Sequence, residues 1–309
     1  MKLKKFKLNK KMSRILFMVV MLLIPVSQFV VFWVYVNIDM IFMTFQKFSW
    51  TTGDYAFIGF SNYQRVFEDI FTDPLVQRRL FNSFLYMPIS CFVILPLSML
   101  FSYWLYKRVP LAGFFRIIYF LPSILPIAVL TMVYAFMFDS TLGPIYSVIR
   151  FLQNFFDPGS VGLTFFGQYP NNQIMILLYC VWVGLGFNII LLNGAITRIP
   201  HELIEVGQME GISLTREFFQ VVVPLIWPTI TTTFVLGVAS IFTVMLQPLM
   251  LTPTSPDTST ISLIIYQMVL RDENLPEMAT FGLVVSLLGM PLILLIRKTM
   301  TSLFKDVDY

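Results

Sequence analysis

The residues with most capacity for chemistry lie together in one stretch, 198–224, RIPHELIEVGQMEGISLTREFFQVVVP. Four of the chain's 17 acidic residues (Glu202, Glu205, Glu210 and Glu217) and its single histidine, His201, fall within it. Carboxylates beside an imidazole are the material of metal ligation and proton transfer. The pattern supports neither. One histidine next to a proline in a polar loop is a poor ligand set, and no C-x-x-C or His-rich spacing exists elsewhere. No carboxylate pair, nucleophile–base pair or G-x-x-x-x-G-K-[ST] loop is present. Cys91 and Cys180, the two cysteines, sit inside apolar runs and read as buried thiols. No catalytic or metal-ligating residue is assigned.

What the stretch can do is present a surface. Pro200 opens a short helical pattern in which Glu202 and Glu205 interact favourably with the helix dipole. Gly211 then supplies a positive-φ turn, and Ser213 is placed to cap a second helical piece. The bland alternative is a solvated connector whose acids serve its own capping. Against that, the second piece runs into a proline-marked apolar run, so force on the loop would reach the membrane.

The elements that position this stretch are membrane spans. The chain is 57% hydrophobic and only 12% charged, with a mean hydropathy of +0.77, the composition of a polytopic membrane protein. Six spans are expected at about 15–45, 83–106, 114–138, 173–196, 221–245 and 280–296, in an all-α domain covering 1–309. The first follows a basic arm too close to a signal peptide in style to ignore, but its apolar run is too long and lacks a cleavage site. Pro25 is expected to kink it, and Pro122 and Pro126 lie inside the third. The loop at 139–172 contains GPIYSVIRFLQNFF, whose Ile145, Val148, Ile149, Leu152 and Phe156 recur at helical spacing, which predicts an amphipathic helix on the membrane surface. The ten residues ISLIIYQMVL are too few to cross a ~30 Å core and read as interfacial.

With six spans both termini share a side. Fifteen of the 21 Lys and Arg fall on that side and six on the other, so the termini and the 198–217 loop are expected in the cytoplasm. The net charge of +4 bears on this topology and does not indicate nucleic-acid binding.

Polar residues inside spans are costly and tend to face the bundle interior or a water-filled path. The candidates are Asn188 and Asn193 on the fourth span, Tyr134 on the third, Ser240 on the fifth and Gln247 just beyond it. For each, a helix–helix hydrogen bond worth roughly 1 kcal/mol is the competing role. No ionisable residue stands near a span centre; Asp39 and Arg116 lie towards span ends. This disfavours a proton- or sodium-coupled carrier and suits a neutral polar cargo.

The loop resembles the Glu-Ala-Ala signature of permease subunits of binding-protein-dependent ABC importers, approximately I-P-x-x-x-x-E-A-A-x-x-D-G-A-S followed by Phe and Leu-Pro. Ile199, Pro200, Glu205, Gly211, Ser213, Phe218 and Pro224 match. Val206 and Gly207 replace the two alanines, Glu210 the Asp, Ile212 an alanine and Val223 the Leu. Gly207 is expected to loosen a helix where the family keeps Ala. FIGFSNYQRVF (57–67), FRIIYFLPSILP (115–126), LGPIYSVIRFL and Gly186-Phe187-Asn188 are similar to segments of the carbohydrate-uptake, maltose-type permeases, in the same order.

The resemblance implies a bacterial cytoplasmic-membrane permease for a sugar or oligosaccharide. It implies a coupling helix formed by Glu205, Val206, Gly207, Gln208, Met209, Glu210, Gly211 and Ser213. Its implied partners are a second homologous permease, two cytoplasmic ATPase subunits, an extracytoplasmic solute-binding protein and membrane lipid. The chain itself would bind no cofactor, with ATP and Mg on the ATPase. A self-contained secondary transporter or channel is the alternative; it would have no need of such a loop.

Overall fold

The computed structural model describes residues 10–49, 52–107, 109–156, 164–253, 255–271 and 274–303. The basic arm up to residue 9, Arg108 and the tail from 304, which contribute to the charge count, lie outside the described residues. Four helices are long and apolar enough to cross a membrane, and two bent helix pairs raise the number to six if each pair is one span.

The first helix, α1 (Lys10–Met43), has 34 residues and is π-helical over Val30–Tyr35. It continues through Pro25 without a break. No residue of Lys10–Phe29 is buried, whereas the last turns, Val36–Met43, pack on the final helix. A small antiparallel hairpin follows, β1 (Gln46–Phe48) with β2 (Tyr55–Phe57), an addition to the all-α expectation. Asn62, at the start of α2 (Ser61–Thr72), closes its base: Nδ2 donates to Thr44 O at 2.9 Å and to Gln46 O at 2.8 Å. Tyr63 OH meets Thr44 Oγ1 at 2.7 Å. The Asn-Tyr of FIGFSNYQRVF is therefore a clamp on this hairpin.

The second span, α3 (Pro74–Tyr106), starts nine residues before the expected Ser83. Asp73 caps it, accepting from Leu75 N at 2.8 Å, and Pro74 occupies the first turn, where a missing N–H costs nothing. The third span is where expectation and structure part. It divides into α4 (Ala112–Ile124) and α5 (Ile127–Met137), set at 109° to one another. Pro122 stays helical, but Pro126 clashes with an α-conformation at the residue before it, and Leu125 is extended at φ −75°, ψ 142°. The amphipathic helix α6 (Pro144–Phe156) forms as the spacing predicts and packs only lightly, on α5.

The fourth span, α7 (Asn171–Ile196), agrees with expectation to within two residues. It is the central strut, packing along α3 and α4. After α8 (His201–Met209), the fifth span also breaks, into α9 (Leu214–Leu225) and α10 (Trp227–Phe242) at 78°. Ile226, two residues before Pro228, is the non-helical joint (φ −96°, ψ 10°). Short α11 (Leu246–Leu251) and α12 (Ile261–Leu270) lead to α13 (Leu275–Leu303), longer at both ends than the expected 280–296. The segment ISLIIYQMVL is α12, too short to span as expected, and its N-terminal end is bonded into the bundle. Ile261 N donates to Ser83 Oγ at 3.0 Å, Thr260 Oγ1 to Val244 O at 2.7 Å and Ser262 Oγ to Phe242 O at 2.8 Å.

Between apolar helices in lipid, burial from water contributes little and close packing with interhelical hydrogen bonds must hold the bundle. The buried residues accordingly form separate clusters. One joins α3, α7 and the 199–230 segment around Tyr103, Leu192, Ile196 and Val222. Another joins α3, α5 and α7 around Tyr86, Tyr134 and Tyr179.

Candidate functional site

The chain turns out of α7 at Thr197 and enters α8 immediately after Pro200, with Leu203 N donating to Pro200 O at 3.1 Å. The two faces of α8 differ. Ile204 is buried, with Ile199, in the cluster that contains Tyr103, Leu192, Phe218 and Val222. Leu203, Val206 and Met209 face outward, Met209 at 88% exposure, and Leu214 beyond the turn is 63% exposed. An apolar ridge rimmed by the exposed acids Glu202, Glu205 and Glu210 is the mark of a binding surface on a polar loop. Glu205 Oε1 also meets His201 Nδ1 at 3.0 Å, an exposed i,i+4 pair. Gln208 lies in the helix, its side chain outside the described residues.

The exit from α8 is a Schellman-type stop. Gly211 takes φ +70°, Ile212 N donates back to Gly207 O at 3.2 Å and Glu210 N to Val206 O at 3.0 Å. Ser213 then caps α9, its Oγ accepting from Arg216 N at 3.4 Å. The helix–glycine–helix expectation and both assigned turn roles stand.

A group that the sequence did not single out ties this element to the spans. Glu217, in the π-helical turn Glu217–Val222 of α9, is buried. Its Oε1 lies 2.5 Å from Lys107 Nζ, at the end of α3, and accepts from Tyr103 OH at 3.1 Å. Tyr103 OH also lies 3.2 Å from Leu214 O. Tyr103, Lys107 and Glu217 thus clamp the end of α3 to α9. Their signal in the sequence was faint: opposite charges at the ends of two apolar runs, 110 positions apart.

Three of the five intramembrane polar candidates are occupied in structural bonds. Asn193 Nδ2 donates across to Ser102 O at 3.1 Å, Tyr134 OH to Met175 O at 3.1 Å, and Asn188 Nδ2 back to Gly184 O at 3.0 Å. Ser240 Oγ and Gln247 Oε1 are buried without a partner among the described residues, so these two retain unused hydrogen-bonding capacity. Tyr134→Phe and Asn193→Ala are each expected to cost about 1 kcal/mol of stability and to leave the choice of transported solute unchanged. Competition uptake assays check this; an altered solute preference in either variant would refute the structural role.

Residues 93–304 match the model of the binding-protein-dependent transport system inner membrane component. The chain belongs to this family. Two relatives place the permease more closely. It is 30% identical over 212 residues to a protein of Mycoplasma genitalium named a probable ABC transporter permease, covering 65% of this chain and 61%, under two thirds, of that one. It is 25% identical over 259 residues to the diacetylchitobiose uptake system permease protein of Streptomyces coelicolor, covering 81% of this chain and 72% of the relative. The permease shares its fold with a chain of a bacterial ABC transporter involved in the import of the acidic polysaccharide alginate. The TM-score is 0.82 at 19% identity, over 96% of this chain and 99% of that one. The matched range takes in the 198–217 loop and both partners of the Lys107–Glu217 clamp.

Proposed function

We propose that this permease is one membrane subunit of an ATP-driven importer of sugars or oligosaccharides, a single domain of six spans forming half of the translocation pathway. The observation that carries the coupling role is the two-faced α8: an exposed apolar ridge outside, and Ile199 and Ile204 sunk behind it into the cluster shared by the second, fourth and fifth spans. A partner pressing on that ridge moves three spans together. The charge asymmetry supports a cytoplasmic ridge and cytoplasmic termini, and on this reading the partner is an ATPase subunit that carries ATP and Mg. Names of relatives support the cargo class, diacetylchitobiose among them, and a related importer is known in complex with an alginate-pentasaccharide-bound periplasmic protein. A second homologous permease, a second ATPase subunit and an extracytoplasmic solute-binding protein complete the assembly.

Mechanistically, closure of the ATPases pushes α8 inward. The Tyr103–Lys107–Glu217 clamp carries that displacement into α3 as well as α9, and the two bent spans supply joints about which the pathway halves reorient. Cargo released by the binding protein enters the opened cavity, where Ser240 and Gln247 offer free hydrogen-bonding groups.

Met209→Glu is expected to abolish ATPase capture by placing a charge on the most exposed apolar residue of the ridge, at a cost of about 2–4 kcal/mol of docking energy. Membrane insertion should be unaffected. Co-purification with the ATPase co-expressed from the same importer measures it. Sugar uptake by liposomes containing the permease without any ATPase would instead establish a self-contained transporter.

A further inference from the structure

Two departures from the family's loop pattern meet in space. Gly207 is buried on the inner face of α8, one turn after Ile204. A methyl group built on it would lie 2.7 Å from Ile212 Cδ1 and 3.4 Å from Ile212 Cγ1. Real Cβ contacts are not that short, so the space an alanine would fill at 207 is already filled by Ile212. Ile212 reaches it because Gly211, at φ +70°, folds the chain back and the Ile212 N–H closes on Gly207 O. In a Schellman stop the residue after the left-handed one commonly makes an apolar contact with the last turn of the helix; here that contact is Ile212 lying on the bare backbone of Gly207.

We propose that Gly207 and Ile212 are a matched pair of positioning residues. Ile212 supplies from beyond the turn the bulk that the helix lacks, and so fixes the angle between α8 and α9 and the outward aim of Glu205, Val206 and Met209. The positioning role rests on the coupling function proposed above; the packing of the pair does not. Gly207 on this account does not loosen the element, because its freedom is taken up by the side chain that covers it.

The pair makes the effect of one substitution change sign with its background. Alanine is the better helix former, and with nothing in its way Gly207→Ala should slow amide exchange in α8 about fivefold. That result is expected in an Ile212→Ala background. In the parent chain, Gly207→Ala turns the Cδ1 end of Ile212 aside and forfeits its apolar contact with the last turn of α8, so amides 208–212 are expected to exchange faster than in the parent. Hydrogen–deuterium exchange on the permease in nanodiscs reads both. Slower exchange in both backgrounds, or faster exchange in both, overturns the pairing.

A second measurement addresses positioning. In the importer reconstituted with its own ATPase and binding-protein subunits, ATP consumed per solute carried should rise in Gly207→Ala and return towards the parent value in Gly207→Ala/Ile212→Ala. If Gly207→Ala leaves that ratio unmoved while Glu205→Ala or Met209→Ala changes it, the positioning role fails and the docking reading stands. If none of the loop variants changes it, the docking reading fails, and the exchange result still decides the pairing.

Discussion

Lys107→Met is expected to destabilise the permease by about 3 kcal/mol, and Glu217→Gln by only about 1 kcal/mol, although both break the same ion pair. The asymmetry follows from where each partner is left. The Glu217 side chain is 2% exposed and that of Lys107 21%. Removing the lysine strands a carboxylate in the cluster whose remaining donor among the described residues is Tyr103 OH, the situation in which breaking a buried pair is most costly. Removing the acid leaves an ammonium on a flexible stem that can reach water, while a glutamine oxygen can still accept from Tyr103. Replacing both with apolar residues should recover most of the loss, because well-packed apolar groups often replace a buried pair at little net cost. Denaturant unfolding of the detergent-solubilised chain gives all three values. Equal losses from the two single variants would show that Glu217 is not buried against its partner. The recovered double variant has a further use: stable but without its clamp, it should hydrolyse ATP in the assembled importer with poor transport.

Gly186→Ala is expected to cost about 2–3 kcal/mol, whereas Gly194→Ala, two turns further along the same helix, should be neutral or slightly stabilising. A Cβ at 186 would fall 2.4 Å from the carbonyl oxygen of Tyr119, and nothing lies within 4 Å of one at 194. The obstacle at 186 is backbone, which cannot rotate away, so α4 would have to lift from α7. Small residues at such crossings let helix backbones approach in lipid, where packing supplies most of the adhesion. Because α4 has its main seat on α7, its displacement should also change the 109° bend at Leu125–Pro126. Thermal unfolding of both variants, with a distance label across the bend, tests this. A Gly186→Ala protein as stable as Gly194→Ala would refute the close crossing.

Both predictions concern contacts that periodicity does not encode. An apolar repeat reports which face of a helix is buried, and composition reports that it lies in a membrane; neither names the neighbour. Hence α7 was legible almost to its ends, and Gly211 and Ser213 could be assigned from local turn and capping chemistry alone. The breaks at Leu125 and Ile226 were not, since the apolar runs continue across them and a proline in a span can break the helix, as Pro126 does, or be accommodated in it, as Pro25 and Pro122 are. The early start of α3 was hidden because VQRRLFNS is too polar to read as a span. Gly207 was legible only as a propensity penalty; its covering partner is five residues on, beyond a turn.

The first helix has a consequence of another kind. At 1.5 Å per residue its 34 residues make a rod of about 51 Å, against a hydrocarbon thickness of about 30 Å. Among the described residues its last quarter, Val36–Met43, packs on α13, and the π-helical turn Val30–Tyr35 separates that mooring from twenty residues of which none is buried. Contacts among the described residues therefore hold this helix at one end, and the stand of its outer twenty residues is the part of the subunit's outline that they fix least.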